Sequence, residues 1–217
     1  MEIARGVHAV RLLGSRGYLV EGDDGLTLVD AGLRGSGPLL RWYLSRIGRA
    51  PDDIVRIVCT HGHPDHIGGV REIAAMTGAG VLMHPADSER LRITLREAVA
   101  RPITPGPVIA YLTRPPGAVS ALEDGASVAG LEAIHTPGHT PGSVCLYSPD
   151  RRLLIVGDVL QVVRGRISLP SQVFTEDMGE ARRSIARLAE LDVEIVAFAH
   201  YPAWRGGVRD ALRAIAA

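Results

Sequence analysis

His61, His63, Asp65 and His66 place three imidazoles and a carboxylate within six residues, in the run His61-Gly62-His63-Pro64-Asp65-His66. On extended backbone, side chains two positions apart point to the same side, so the rings of His61 and His63 can converge on one ion. Asp65 and His66 follow as the chain turns, and can face a second ion close by. A solvated loop has no need of such a cluster; grouped His and Asp residues mark metal or catalytic sites. Nitrogen and oxygen donors without thiolate suit Zn2+, and also Fe or Mn.

Two elements must position that loop. Ile54 to Cys59 is an apolar, β-branched run that predicts a buried strand ending just before it, while residues 67–76 carry helical periodicity closed by Gly78. The cluster is therefore a loop at the carboxyl end of a strand, where sites of open sheets form. Gly62, Gly68 and Gly69 permit its tight path. Upstream, residues 7–12, 18–21 and 26–29 read as short strands, with a hairpin signal at Gly22-Asp23-Asp24-Gly25 and the last strand ending at Asp30. Leu39, Leu40, Tyr43, Leu44 and Ile47 recur at helical spacing, and Gly48 stops that helix. Downstream, strands are expected at 81–83, 131–134, 143–147, 153–156 and 195–199, and helices over 86–100, 178–191 and 208–216. Residues 101–117 hold five prolines and no period, which predicts a loop or lid.

A chain of 217 residues fits one domain, residues 1–217, and this element pattern alone supports α/β or α+β. The formal net charge is zero, so no global field draws the chain to nucleic acid or an anionic membrane. Every basic side chain other than histidine is arginine, which removes any lysine nucleophile or Schiff base. Cys59 and Cys145 lie far apart within apolar stretches and read as buried free thiols. The first residues lack an apolar h-region, and the longest apolar stretch, 153–163, is interrupted by Asp158. A cytoplasmic protein without a membrane span is the expectation.

The cluster resembles the H-x-H-x-D-H signature of the metallo-β-lactamase superfamily, and the likeness extends over almost the whole chain. Leu28-Val29-Asp30-Ala31-Gly32 is similar to that family's early strand ending in an aspartate, and residues 136–143, Thr-Pro-Gly-His-Thr-Pro-Gly-Ser, to its second motif. Val156-Gly157-Asp158 is similar to the third, and His200 falls where the family has its last histidine. The resemblance implies a four-layer αββα sandwich with two divalent metal ions. His61, His63 and His139 would hold one ion, and Asp65, His66 and His200 the other. Asp158 would bridge them. It further implies hydrolysis of an ester, lactone or thioester by a hydroxide bridging the ions, with Asp65 or a metal-bound water passing a proton to the leaving group. Two alternatives remain: a mononuclear iron oxidoreductase of the persulfide dioxygenase type, and a non-catalytic metal-binding module. The sequence after Asp158 lacks the Gly-Arg-Thr-Asp type of motif of those dioxygenases, and Asp158 stands where one lactamase subclass has a cysteine ligand. Glyoxalase II is the nearest familiar hydrolase by motif, yet the chain ends about where its helical glutathione-binding domain would begin.

Around the ligands, Asp30 is expected to orient a ligand imidazole through its second nitrogen, and Tyr201 to hydrogen-bond a substrate oxygen. His8, His84 and His135 read as structural, with His84 the best placed of them to line the site. The substrate is expected between 101–117 and the loop 161–174, with Tyr111 and Phe174 as apolar wall and Arg164 and Arg166 available to a carboxylate. These features point to a small-molecule partner, largely apolar, without nucleic acid or membrane, and to a monomer or homodimer.

Overall fold

A computed structural model describes residues 1–88 and 118–216. The chain divides into two compact units, Met1–Leu122 and Glu123–Ala217. The expected helix over 86–100 (beyond its first residues), the lid 101–117 and Tyr111 lie outside the described residues.

The first unit is built on a seven-stranded sheet in sequence order: β1 (Glu2–Ala4), β2 (Val7–Arg11), β3 (Arg16–Gly22), β4 (Gly25–Val29), β5 (Ile54–Cys59), β6 (Gly80–Met83) and β7 (Val119–Ala121). The first four strands pair antiparallel through short turns. Gly22 faces Gly25 across a two-residue loop, as the glycine–aspartate run predicts. From β4 onward the pairing is parallel, so the connections from β4 to β5 and from β5 to β6 must cross back over the sheet. Helix α1 (Gly37–Arg46) makes the first crossover, burying Leu40 and Leu44 one turn apart. The next crossover runs as two helices, α2 (Pro64–Ile67) and α3 (Val70–Thr77), rather than the single one expected over 67–76. The break falls at Gly69, where a Cβ would stand 2.3 Å from the Ala31 carbonyl oxygen. A short helix α4 (Pro85–Ser88) follows β6. Leu28, Ile57, Leu40, Leu44, Ile73 and Met83 share one buried cluster, each contributing about 1.5–3 kcal/mol by leaving water.

The second unit carries a six-stranded sheet ordered β15-β14-β11-β10-β9-β8. Its strands are β8 (Ser127–Val128), β9 (Leu131–His135), β10 (Val144–Ser148), β11 (Leu153–Ile155), β14 (Ile195–Ala197) and β15 (Trp204–Arg205). Helix α5 (Met178–Leu188) starts at Asp177, whose Oδ1 accepts from the Glu180 amide at 2.8 Å. It buries Ala181, Ser184, Ile185 and Leu188, one face at helical spacing. Helix α6 (Val208–Ala216) buries Val208 and Leu212. Residues 161–174, expected as a loop, contain a hairpin of β12 (Gln161–Val163) and β13 (Arg166–Ser168). Its two-residue turn, Arg164-Gly165, takes φ of 50° and 72°, the left-handed pair that closes tight hairpins. An arginine at the first of these positions hid the turn from a search for Asn-Gly or Asp-Gly.

Both cysteines are buried and free, as expected. No helix among the described residues is long and apolar enough to cross a membrane.

Candidate metal centre

Parallel pairing brings the carboxyl ends of three neighbouring strands to one edge of the first unit's sheet. Val29 pairs with Val58, and Cys59 with Met83, so Asp30, Thr60 with His61, and the segment from His84 emerge side by side. Asp30 is 2 % exposed and sits at φ 58°, a left-handed conformation that Asp tolerates better than most residues. Its Oδ1 accepts from the Thr60 amide at 2.8 Å; its Oδ2 accepts from the Thr60 hydroxyl and from His66 Nδ1, each at 2.8 Å. A carboxylate only accepts, so Nδ1 of His66 carries the proton and Nε2 keeps its lone pair. The Thr60 hydroxyl, having donated to Asp30, accepts from His61 Nδ1 at 3.1 Å. Nε2 of His61 is thereby left facing Nδ1 of His63, 3.1 Å away. Nε2 of His66 lies 3.7 Å from Asp65 Oδ2. One buried aspartate thus sets the tautomer of two histidines, one directly and one through a threonine. Asp30 thus meets a histidine of the loop through that ring's second nitrogen.

The loop is fixed from its other side by a residue the sequence reading missed. Asp87, fully buried, accepts the Gly62 amide at 2.7 Å. It sits at the start of a stretch, 86–100, whose charge and periodicity suggest only an amphipathic helix. A usable signal was present in the register, because a residue just past β6 must lie beside the end of β5.

The second unit repeats the geometry. Strand β9 runs antiparallel to β10 and β10 to β11, while β11 and β14 are parallel. The carboxyl ends of β9, β11 and β14 therefore share one edge, and His139, Asp158 and His200 follow them. The loop 136–143 is closed on itself: the Thr136 amide donates to the Ser143 carbonyl at 2.8 Å and the Thr140 amide to Ser143 Oγ at 3.0 Å. Gly138 has no room for a side chain, since a Cβ would stand 2.2 Å from the Ala181 nitrogen at the start of α5. His139, 2 % exposed, turns Nδ1 to Thr175 Oγ1 at 3.3 Å and Nε2 to Asp158 Oδ2 at 3.7 Å. The other oxygen of Asp158, Oδ1, lies 3.2 Å from Nε2 of His200. The two oxygens of one carboxylate therefore face two different imidazoles.

These separations fit metal ions. Four ligands around Zn2+ at bond lengths of about 2.0–2.1 Å stand roughly 3.3 Å apart by tetrahedral geometry. Within each unit the neighbouring donor atoms lie between 3.1 and 3.7 Å apart. The donors are imidazole nitrogen and carboxylate oxygen throughout. Both thiols are held protonated by burial, which pushes Cys59 up and Cys145 up to about 12.

The remaining expected residues fall as follows. His8 meets the Tyr43 hydroxyl at 3.3 Å, His84 Nδ1 accepts the Ala86 amide at 3.3 Å, and His135 Nε2 donates to the Pro141 carbonyl at 2.9 Å, structural partnerships of the kind expected. Tyr201, directly after His200, is half-buried with its ring edge-on to Phe198, centroids 5.9 Å apart. Arg164, Arg166 and Phe174 are exposed.

Residues 10–200 match the family model of the metallo-beta-lactamase superfamily, and the chain belongs to that superfamily. A Bacillus subtilis protein named "Probable metallo-hydrolase YflN" is 28 % identical over 225 residues, covering 92 % of this chain and 85 % of the relative. A hydroxyacylglutathione hydrolase of Maricaulis maris is 30 % identical over 156 residues, covering 70 % of this chain and 49 % of that relative. Among solved structures, TTHA1623 in a di-iron-bound form aligns with a TM-score of 0.72 at 28 % identity, covering 93 % of this chain and 96 % of that one. The α/β metallo-β-lactamase fold expected from the motifs is the fold of this chain.

Proposed function

We propose that this protein is a dinuclear metal-dependent hydrolase acting on an ester, lactone or thioester. In this reading His61, His63 and His139 hold one ion, Asp65, His66 and His200 hold the other, and Asp158 bridges them. The observation that carries it is the posture of Asp158, one oxygen toward His139 and the other toward His200. Two divalent ions bound there supply Lewis acidity toward a carbonyl oxygen and lower the pKa of water to near ~7. Zinc suits the donor set, and so does iron, which the di-iron form of TTHA1623 supports.

The chain's own residues do the rest. Asp30 holds the protons of His66, and through Thr60 of His61, on Nδ1, leaving both Nε2 atoms ready as ligands. Asp65, with about a third of its side chain exposed, takes a proton on its carboxylate and returns it to the leaving oxygen or sulfur. The Tyr201 hydroxyl hydrogen-bonds a substrate oxygen.

The substrate in this reading is small and largely apolar rather than a glutathione thioester or a polyanion. Arg164 and Arg166 are the only basic residues of the segment 161–174 and serve a single carboxylate. The protein acts as a single domain spanning residues 1–217, as a monomer or homodimer in the cytoplasm, without nucleic acid or membrane.

Metal analysis of protein purified without added metal tests the centre. Two equivalents of Zn, Fe or Mn with ester turnover are expected, and Asp158→Ala should lose at least one ion and nearly all turnover. Both ions and a normal rate in that variant overturn the assignment, and one iron with oxygen uptake puts an oxidoreductase in its place. The substrate class is tested by kcat/KM across alkyl lactones, aryl esters and S-lactoylglutathione. A preference of ~100-fold for the glutathione thioester, about 2.7 kcal/mol in the transition state, refutes the apolar reading.

A further inference from the structure

Between β13 and α5 the chain turns sharply, the Phe174 amide donating to the Ser171 carbonyl at 3.2 Å. The turn shows its two large apolar side chains to solvent: Val173 is 85 % exposed and Phe174 66 %. They are the two most exposed large apolar residues of the second unit's described part. The three residues that follow are fastened to two adjacent residues, Gly138 and His139. Thr175 Oγ1 meets the ring nitrogen Nδ1 of His139 at 3.3 Å, the Glu176 amide donates to the His139 carbonyl at 3.2 Å, and the Asp177 amide donates to the Gly138 carbonyl at 2.9 Å. Asp177 then caps α5, so the clasp is braced by a helix as well as by the closed loop 136–143. Consecutive α-carbons are about 3.8 Å apart. The Phe174 side chain therefore starts within roughly 10 Å of the His139 ring by that spacing, a span that a medium-length alkyl chain covers.

We infer that the turn 171–176 is the substrate-selecting lip of the site: Val173 and Phe174 receive the apolar acyl chain, and Thr175 and Glu176 hold that receiving surface at a fixed distance from His139. The assignment rests on the hydrolase reading for the chemistry of the head group and on the turn alone for the preference for an alkyl tail. Exposed apolar residues on a mobile tip would select nothing, because their position relative to the reacting carbonyl would vary. The clasp on His139 removes that freedom, so a chain lying on the lip carries its carbonyl to one place.

The test uses the metal-loaded full chain, wild type and Val173→Ser/Phe174→Ser. Both side chains lie on the surface, so the double variant is expected to keep the wild-type melting temperature. Two measurements are made: kcat/KM for p-nitrophenyl acetate, butyrate, hexanoate and octanoate, and calorimetric binding of the products acetate and octanoate. Wild type is expected to prefer octanoate esters over acetate at least ~10-fold and to bind octanoate at least ~10-fold more tightly than acetate. In the variant both ratios should fall to within ~3-fold. Ratios unchanged by the double substitution overturn the lip, as does a variant that alters only the oligomeric state. If wild type cleaves none of these esters, nor alkyl lactones or S-lactoylglutathione, yet binds octanoate through these residues, the hydrolase reading fails and the lip stands. If it cleaves all of them without regard to chain length, the lip fails and the hydrolase reading stands.

Discussion

Asp30 offers the most discriminating perturbation, because two substitutions separate its structural role from its control of a histidine. Asp30→Ala strands the buried Thr60 amide and hydroxyl, which both bond to the carboxylate at 2.8 Å. An unsatisfied buried group costs about 1–3 kcal/mol, and a left-handed backbone at φ 58° adds about 1 kcal/mol for alanine. With two stranded groups the total is about 3–7 kcal/mol, a fall in Tm of about 6 °C or more for a chain of this size. Asp30→Asn is gentler on the fold. Asparagine tolerates the left-handed conformation and still offers an oxygen to the Thr60 amide. Its NH2 group, however, replaces the oxygen that accepts from His66 Nδ1. To avoid two donors meeting, His66 must move its proton to Nε2, the nitrogen assigned to the ion. Loss of such an orienting partner typically weakens metal affinity 10–100-fold, about 1.4–2.7 kcal/mol. Competition against a chelator of known affinity reads the metal, and calorimetry reads the fold. Asp30→Asn should lose affinity with little change in the apoprotein's Tm, and Asp30→Ala should lose both. Wild-type metal affinity in Asp30→Asn would refute the tautomer chain from Asp30 through Thr60 to His61 and His66.

Two further outcomes follow from residues around the ligand loop. Asp87→Ala removes the buried acceptor of the Gly62 amide and should destabilise the apoprotein by about 2–3 kcal/mol; a change below about 0.5 kcal/mol in chemical denaturation contradicts an anchoring role. Cys59→Ser/Cys145→Ser should keep its metal, and the wild-type thiols should resist a disulfide-exchange reagent at pH 8 until the chain unfolds. Burial raises both thiols above their ordinary range, Cys145 to about 12. The folded form therefore keeps protons that the unfolded chain releases. That contribution is intact below about pH 8.5 and is lost as pH rises toward the folded values. Each thiol removes up to about 1.4 kcal/mol per pH unit over that window. The double serine variant should lack this alkaline decline, which denaturation at pH 8 and 10 measures.

Much of the site was legible because its donors lie in short runs, each following a strand that the apolar pattern marks. His61 to His66 stand out in this way from residue types and spacing, whereas Asp30, His139, Asp158 and His200 are reached through the resemblance to the metallo-β-lactamase motifs. What stayed hidden depends on contacts across strands. Thr60 gives no sign in sequence that its hydroxyl relays Asp30 to His61. Asp87 falls within a stretch, 86–100, expected only as a helix, and nothing in the sequence singles out Thr175. The hairpin β12–β13 was missed for a local reason, an arginine in a left-handed turn position where glycine, asparagine or aspartate is the usual cue. The split of the helix at Gly69 was likewise invisible, since it arises from the nearness of Ala31 and not from propensity.

The strand pairing of the first unit also carries a chronology. Strands β1 to β4 join through turns of a few residues, whereas residues 30–53 separate β4 from β5 and residues 60–79 separate β5 from β6. Contacts between sequence neighbours form before those that must close long loops, so the antiparallel ribbon comes first and the parallel half, with His61 to His66, is completed late. An ion bound at those residues then arrives after the rate-limiting step and acts as a latch. Chelation should speed unfolding and leave the refolding rate almost unchanged, an asymmetry that stopped-flow measurements with and without chelator can read; slowed refolding with an unchanged unfolding rate would place the ligand loop in the folding nucleus instead.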